Sequence, residues 1–339
     1  MSSWPSLSSK DRSPGSSTAP WTRWPRMSAP DEFEQIARLF RPLTRGAAEA
    51  LDLLDDAAAI PSRPGFDLVV TKDALVAGVH FRPDDPPDIV ARKLLRSNLS
   101  DLAAKGAEPY GYFLMTAWPA GFGWDQRQAF ARGLDEDGLA YDVILLGGDT
   151  VSTPGPLVAS MTLLGWVPSG TMIRRGGAKA GDLLMVSGPI GDGWLDWGPG
   201  WGELDRRWLA EAHRLPNPRL DLRGSLRAHA SAAADVSDGL VADAGHIAQA
   251  SGLGLRLDLE RMPLSKPARA WLATQDDQAT ALLRLATGGD DYEIVCTAPA
   301  EHPALSSLTV IGEMVEGEGI EVRVGDEVID PGVGGWTHA

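Results

Sequence analysis

Apolar and polar positions along the chain fall into two alternating periods. Continuous or alternating β-rich runs over 66–71, 142–146 and 157–167 predict strands, the second running into Gly147-Gly148. Apolar residues recur at helical spacing over 88–105 and 126–139, which predicts two helices between those strands. Beyond the turn Gly177-Ala178-Lys179-Ala180-Gly181 the same style returns. Strands are expected over 183–187, 255–259, 292–297 and 308–315, with helices over 220–230, 240–250 and the stretch before Gly288. Strands interleaved with helices indicate an α/β or α+β fold rather than a sandwich or a bundle. The expected division is an extension over 1–28, an N-terminal α/β domain over 29–168 and a C-terminal α/β domain over 169–339.

Two segments break the pattern. Residues 1–28 are rich in Ser, Pro, Arg and Trp without apolar periodicity, and are expected to be a disordered extension. Met27 stands just before Ser28-Ala29-Pro30-Asp31-Glu32, a helix-start pattern, and is an alternative initiation site. A transit peptide is disfavoured there by Asp11 and the prolines. Residues 192–209, with Trp194, Trp197, Trp201 and Trp208 among glycines, fit either a lid-like loop or a surface helix.

Length and charge then narrow the classes. A chain of 339 residues with 43% hydrophobic content supports two ordinary domains. The single cysteine, Cys296, excludes an internal disulfide or a cysteine-rich zinc site, so a cytoplasmic setting is expected. A formal net charge of −15 argues against nucleic acid and anionic lipid as partners. No apolar run approaches the roughly 18–20 residues a membrane span needs, and no membrane association is expected. Acidity does not exclude anionic substrates, because bound divalent cations invert the local field.

The candidate chemistry lies in aspartates beside glycine turns or at strand ends: Asp55-Asp56, Asp73, Asp101, Asp149 in Gly147-Gly148-Asp149-Thr150, Asp235 and Asp238 in Asp-Val-Ser-Asp-Gly, and Asp290-Asp291. A single such Asp is ordinarily a turn former or helix cap. Recurrence of one local grammar points instead to carboxylates gathered where α/β sheets collect ligands. Ionised carboxylates crowd together only with cations among them, and hard oxygen donors suit Mg2+ or Mn2+. The expectation is a multi-metal, phosphate-handling site. Walker, dinucleotide-binding and protein-kinase signatures are absent from the sequence, and Gly188-Pro189-Ile190-Gly191-Asp192-Gly193 resembles a phosphate loop only weakly. No nucleophile elbow accompanies the scattered His80, His213 and His246, which leaves a Ser-His-Asp site unsupported.

Taken together, the blocks from about Glu32 to Trp336 resemble the thiamine-monophosphate kinase family of the aminoimidazole ribonucleotide synthetase-like superfamily. They are Asp55-Asp56-Ala57-Ala58, the run from Thr71 to Phe81, Asn98 to Ala107, Gly147 to Thr150, Arg175 to Asp182, Pro216-Asn217-Pro218-Arg219, Asp235 to Leu240, and Gly288 to Glu293. The resemblance implies that Asp56, Asp73, Asp101, Asp149 and Asp235 are Mg2+ ligands, with Thr71 assisting and Asp238 holding a further ion. It implies ATP contacts from Gly148, Arg175 and Ser237, and thiamine monophosphate contacts from His80, Asp290 and Trp336. It also implies two α/β domains, and a homodimer whose N-terminal sheets close a barrel. Three positions depart from the family pattern: Leu54 for Gly, Lys72 for a second Thr, and Asp290 for Glu.

That resemblance implies phosphorylation of thiamine monophosphate by ATP. The acceptor phosphate carries about −1.5 to −2 charges near neutral pH and is already a nucleophile, so no catalytic general base is expected. Direct in-line transfer, assisted by several Mg2+ ions, is the expected route. The cysteine count disfavours the selenophosphate synthetase and hydrogenase-maturation branches of the superfamily. An aminoimidazole ribonucleotide synthetase-like enzyme, or a Mg-nucleotide-binding protein without catalysis, are the alternatives.

Overall fold

The computed structural model describes residues 32–198, 202–301, 305–332 and 334–335. The expectations for residues 1–28 and for Trp336 therefore lie outside the described residues. Two mixed sheets carry the molecule. The first contains β1 (Phe66–Val76), β2 (Glu108–Pro119), β3 (Ile144–Thr153) and β4 (Val158–Pro168) in the order β1-β4-β2-β3. Its β2 and β3 run parallel and the other neighbours antiparallel. The second contains β5 (Leu183–Val186), β6 (Ala232–Asp235), β7 (Gly254–Asp258), β8 (Ile294–Ala298), β9 (Thr309–Val315), β10 (Ile320–Val324) and β11 (Glu327–Ile329). Their order is β11-β10-β7-β9-β5-β8-β6, with β7 and β10 parallel and the other pairs antiparallel.

Helix Pro87–Ala104 organises the first unit. Proline in its first turn costs no hydrogen bond, because that N–H has no intrahelical partner in any case. Its Val90, Leu94, Leu95, Leu99 and Leu102 are buried against the sheet together with Phe130 and Leu134 of helix Trp124–Ala140. Each such side chain contributes about 1.5–3 kcal/mol by leaving water. The second unit has its own core, built from strand residues and from helices Leu240–Ser251 and Gln278–Thr287. A third cluster joins the two, packing Ala103 and Ala104 against Ala233, Ile294 and Cys296.

Several elements differ from the expectations, each for a visible reason. β1 continues through Asp73 to Val76 because β4 pairs with it over that whole length. β3 likewise runs past its glycines to Thr153, in register with Phe113–Pro119 of β2. A side chain at Gly148 would collide with the Leu114 carbonyl, so glycine is required by the close strand packing. β8 starts at Ile294 rather than at 292, since Asp290 and Tyr292 hold left-handed φ values of 62° and 53°. The stretch 220–230 divides into a 3-10 turn, Leu220–Leu222, and helix Arg223–His229. Around the tryptophans stand two helices, Asp192–Asp196 and Glu203–Arg214. Strands β2, β6, β10 and β11 and helix Lys266–Leu272 were not expected.

Candidate active site

Helix Pro87–Ala104 and β1 meet with their polar residues facing the second unit. Thr71 and Asp73 alternate to the helix side of β1, and the Thr71 hydroxyl donates to the Asp101 carboxylate. Asp101 therefore lies within the helix, not at a strand end. Asp235 closes the short strand β6 and is buried beside Asp101. Asp238 sits in the following turn, whose shape is fixed by Asp243: one carboxylate oxygen accepts the Ser237 N–H at 3.0 Å and the Asp238 N–H at 3.1 Å.

These carboxylates strongly perturb one another. Burial and the neighbouring Asp101 charge push Asp73 up to about 7, against an opposing Ser97 hydrogen bond. Burial also raises Asp101, while Thr71, Lys105 and Arg175 pull it back. Asp235 lies well above the usual carboxylate range through burial and then through the Asp101 and Asp243 charges. Lys105 and Arg175 supply counter-charge to Asp101, and Lys105 also donates to the Ala233 carbonyl at 2.8 Å. Full ionisation of such a set requires added cations. Among the described residues no three His, Cys, Asp or Glu side chains converge to hold an ion as they stand. The donor chemistry fits hard divalent cations, whereas a closed coordination shell is not formed by the side chains alone.

A cleft of about 870 Å³ opens from this cluster. Asp73, Ser97, Ser237 and Asp238 line it together with His80, Trp194, Trp197, Asp290 and Tyr292, and the Asp290 N–H donates to the Ser237 carbonyl at 2.9 Å, so the acidic and aromatic parts adjoin. Its wall includes Gly335, the residue before Trp336. His80 occupies a tight turn in which its Nδ1 accepts the Val76 N–H at 3.0 Å. Asp290 is held well below the usual carboxylate range: burial opposes this, but Lys93, His213 and the Tyr292 hydroxyl outweigh it.

The Gly288–Glu293 motif resolves into separate duties. Gly289 has φ of 74° and lies against the Ser237 carbonyl, where a side chain would clash. Asp290 faces the cleft. Asp291, buried, instead accepts the Gly191 N–H at 2.9 Å and approaches the Gly193 N–H at 3.4 Å. In the 188–193 stretch, whose resemblance to a phosphate loop is weak, the Gly191 and Gly193 N–H groups are thus directed at Asp291 and the Ile190 N–H at the Pro263 carbonyl. Glu293 pairs with Arg219 of the Pro216–Arg219 block and accepts from Ser187.

Asp56 and Asp149 stand elsewhere. Asp149 pairs across β2 and β4 with Met115 and Ser160, which places it on the face of the first sheet opposite Asp73. Together with Asp55, Asp56, Gly148 and Thr150 it lines a separate cavity of about 360 Å³. The aspartates expected to form one site thus occupy two faces of one sheet in the single chain. Lys72 alternates away from Asp73 along β1, and its ammonium donates to the Ser160 hydroxyl at 2.6 Å, while the residue itself still forms part of the cleft lining. Arg175 is exposed, within electrostatic reach of Asp101. Sequence reasoning overlooked Lys93, Asp196, Lys105 and Asp243. The one available signal was a lysine at position 93 on the apolar stripe of a helix.

Comparison with known proteins places this arrangement. Models described as AIR synthase related protein, N-terminal domain, and AIR synthase related protein, C-terminal domain, match residues 54–167 and 179–325. The thiamine-monophosphate kinase of Caulobacter vibrioides is 57% identical over 326 residues, covering 93% of this chain and 92% of that protein. The crystal structure of thiamine-monophosphate kinase from Stenotrophomonas maltophilia K279a superposes with a TM-score of 0.74 at 37% identity, covering 83% of this chain and 93% of that one. AaThiL complexed with AMPPCP and TMP gives a TM-score of 0.71 at 28% identity, covering 79% and 88%. The two-sheet architecture is therefore that of AIR synthase related proteins. Within them, this chain belongs to the thiamine-monophosphate kinase family.

Proposed function

We propose that the cleft carries out ATP-dependent phosphorylation of thiamine monophosphate to thiamine diphosphate, by direct transfer without a phosphoenzyme. The chain is a thiamine-phosphate kinase by its family membership. The observation that carries the assignment to this cleft is that two kinds of group line it together: Asp73 and Asp238, which adjoin the crowded Asp101 and Asp235, and Trp194, Trp197, His80 and Asp290. The aromatic, anionic part suits the cationic thiazolium ring, since a cation over an indole face is attracted by its quadrupole. The acidic part suits phosphates only when divalent cations are present.

In this reading Asp73, Asp101, Asp235 and Asp238, with Thr71, hold Mg2+ at the cleft, and Asp56 and Asp149 hold Mg2+ from the second cavity. Bound there, Mg2+ would neutralise repulsion between the ATP polyphosphate and the acceptor's single phosphate and would stabilise charge on the transferred group. Gly148, Arg175 and Ser237 contact ATP, and His80, Asp290 and Trp336 contact thiamine monophosphate. Asp243 keeps the Ser237–Asp238 turn in place through its two backbone hydrogen bonds. The acceptor phosphate needs no general base, so orientation of the two substrates is the protein's main task.

The units are read as residues 29–168 and 169–339. A homodimer is supported by the outer face of the first sheet, where Leu68, Val70, Met115 and Val151 are exposed. Pairing of two such faces would close the expected barrel. Among the described residues no helix is long and apolar enough to cross a membrane. With the lone Cys296 buried, a cytoplasmic site of action fits the reading.

Product analysis tests this function. Purified chain incubated with ATP, Mg2+ and thiamine monophosphate should form thiamine diphosphate and ADP together. Neither should form with free thiamine or without metal. ATP binding without diphosphate formation would make the chain a nucleotide-binding protein and turn suspicion on Lys72 and Asp290.

A further inference from the structure

The aromatic part of the cleft is braced by a chain of buried charges that the transfer itself does not use. Lys93 is 1% exposed, on the apolar stripe of helix Pro87–Ala104. Its ammonium donates to the His80 carbonyl at 3.0 Å and lies 3.5 Å from Asp290 Oδ2. His213, fully buried, places Nε2 3.3 Å from the same Oδ2 and Nδ1 3.0 Å from Asp196 Oδ2. Arg82 closes the chain with two 2.6 Å hydrogen bonds to Asp196, one to the carboxylate and one to the main-chain oxygen. The Tyr292 hydroxyl donates to the other oxygen of Asp290 at 3.0 Å.

A methionine would fill the volume of Lys93 without the desolvation cost of a buried ammonium. Its charge makes sense through its two contacts, which reach one cleft-lining residue from each unit. His80 belongs to the first unit and Asp290 to the second, and no covalent path shorter than the intervening chain ties them. Asp290 also stands on left-handed backbone, with a side chain one methylene shorter than glutamate, so its carboxylate depends on its partners for direction.

We propose that Lys93 is a positioning residue for thiamine monophosphate: it sets the His80 turn and the Asp290 carboxylate at a fixed spacing, with His213 bracing the same carboxylate oxygen. This rests on the reading that His80 and Asp290 contact that substrate. Outer partners that orient metal ligands typically cost about 10–100-fold when removed, and a loss at the lower end of that range is expected for this substrate-orienting contact.

Calorimetric titration of thiamine monophosphate into the full chain, with AMPPCP and Mg2+ present, separates the outcomes. Lys93→Met should weaken thiamine monophosphate by about tenfold or more while AMPPCP affinity stays within about twofold. Asp290→Asn should weaken it too, and the double variant should be no weaker than the worse single variant. Unchanged affinity in Asp290→Asn removes the underlying reading and the proposal with it. Weakening by Asp290→Asn without weakening by Lys93→Met overturns the positioning role alone, as do losses that multiply in the double variant. Equal loss of both ligands in Lys93→Met marks a merely structural lysine and also overturns it. If Lys93→Met does not fold, His213→Gln carries the test: selective weakening of thiamine monophosphate supports the proposal, and wild-type affinity overturns it.

Discussion

Two cavities beside one sheet, one at Asp73 on β1 and one at Asp149 on the edge strand β3, share the same acidic vocabulary but not the same surroundings. Beside the cleft, half-buried Asp73 and Asp101 crowd against buried Asp235, and two of their neighbours, Lys105 and Arg175, are cations. In the other cavity, Asp55, Asp56 and Asp149 are exposed beside glycine and apolar walls. Burial, not residue type, makes the difference, because a carboxylate in water stays ionised at little cost whereas a crowded buried one does not. The cleft is therefore the place where added cations change most, and the outer cavity contributes by position on the exposed sheet face.

The largest effect should come from removing one charge on each side. Asp101→Asn and Asp149→Asn should each lower turnover by about a thousandfold and raise the Mg2+ concentration needed for half-maximal rate, as steady-state assays would show. Near-normal rates in both would remove the metal assignment; a normal rate in Asp149→Asn alone would confine the chemistry to the cleft. A smaller loss, about 10–100-fold, is expected from Asp243→Ala, which frees the Ser237 and Asp238 backbone while leaving every direct ligand in place. Preserved Mg2+ dependence in that variant would count against the turn as a metal-holding element.

Acidity should separate the two regions through stability. Asp73 is raised to about 7 in the folded chain, whereas an unfolded carboxylate titrates near 3.8. Between those values the folded state holds a proton that the unfolded chain has released, so stability falls as pH rises through that window. Thermal melting of metal-free protein should show a loss on the order of a few kcal/mol from pH 5 to 8, recovered by Mg2+ more at pH 8 than at pH 5. A flat profile would mean that the cleft carboxylates are not coupled as described. The smallest effect is expected from Lys72→Thr, about threefold or less in kcat, since its ammonium is engaged by Ser160 on the far face of β1. A loss comparable to Asp101→Asn would place Lys72 at the reaction centre after all.

Much of this was legible along the chain, and the exceptions have physical causes. Helix Pro87–Ala104 and strand β4 lie within a residue of their expected bounds because long apolar repeats dominate their burial. The strands bearing Asp73 and Asp149 outran expectation because cross-strand pairing, a long-range property, continues them past polar and glycine positions. β11 is a three-residue edge strand with nothing to reveal it, whereas β10 alternates over Ile320–Val324 and was overlooked for its short length of five residues. The Asp-Gly blocks marked the cleft, yet nothing local showed that Asp149 points to the opposite face from Asp73. Lys93, Asp196 and His213 were invisible as a set because the contacts that unite them, Arg82 with Asp196, Lys93 with Asp290 and His213 with Asp290, join residues far apart in sequence. Asp291 matched the motif but serves the backbone of Gly191.

The most direct test is a crystal structure of this chain with thiamine monophosphate, AMPPCP and Mg2+. The account predicts the thiamine ring between Trp194, Trp197 and Asp290, with its phosphate directed toward Asp73 and Asp238. Thiamine monophosphate found instead in the cavity of Asp56 and Asp149, with the cleft filled only by solvent, would contradict it.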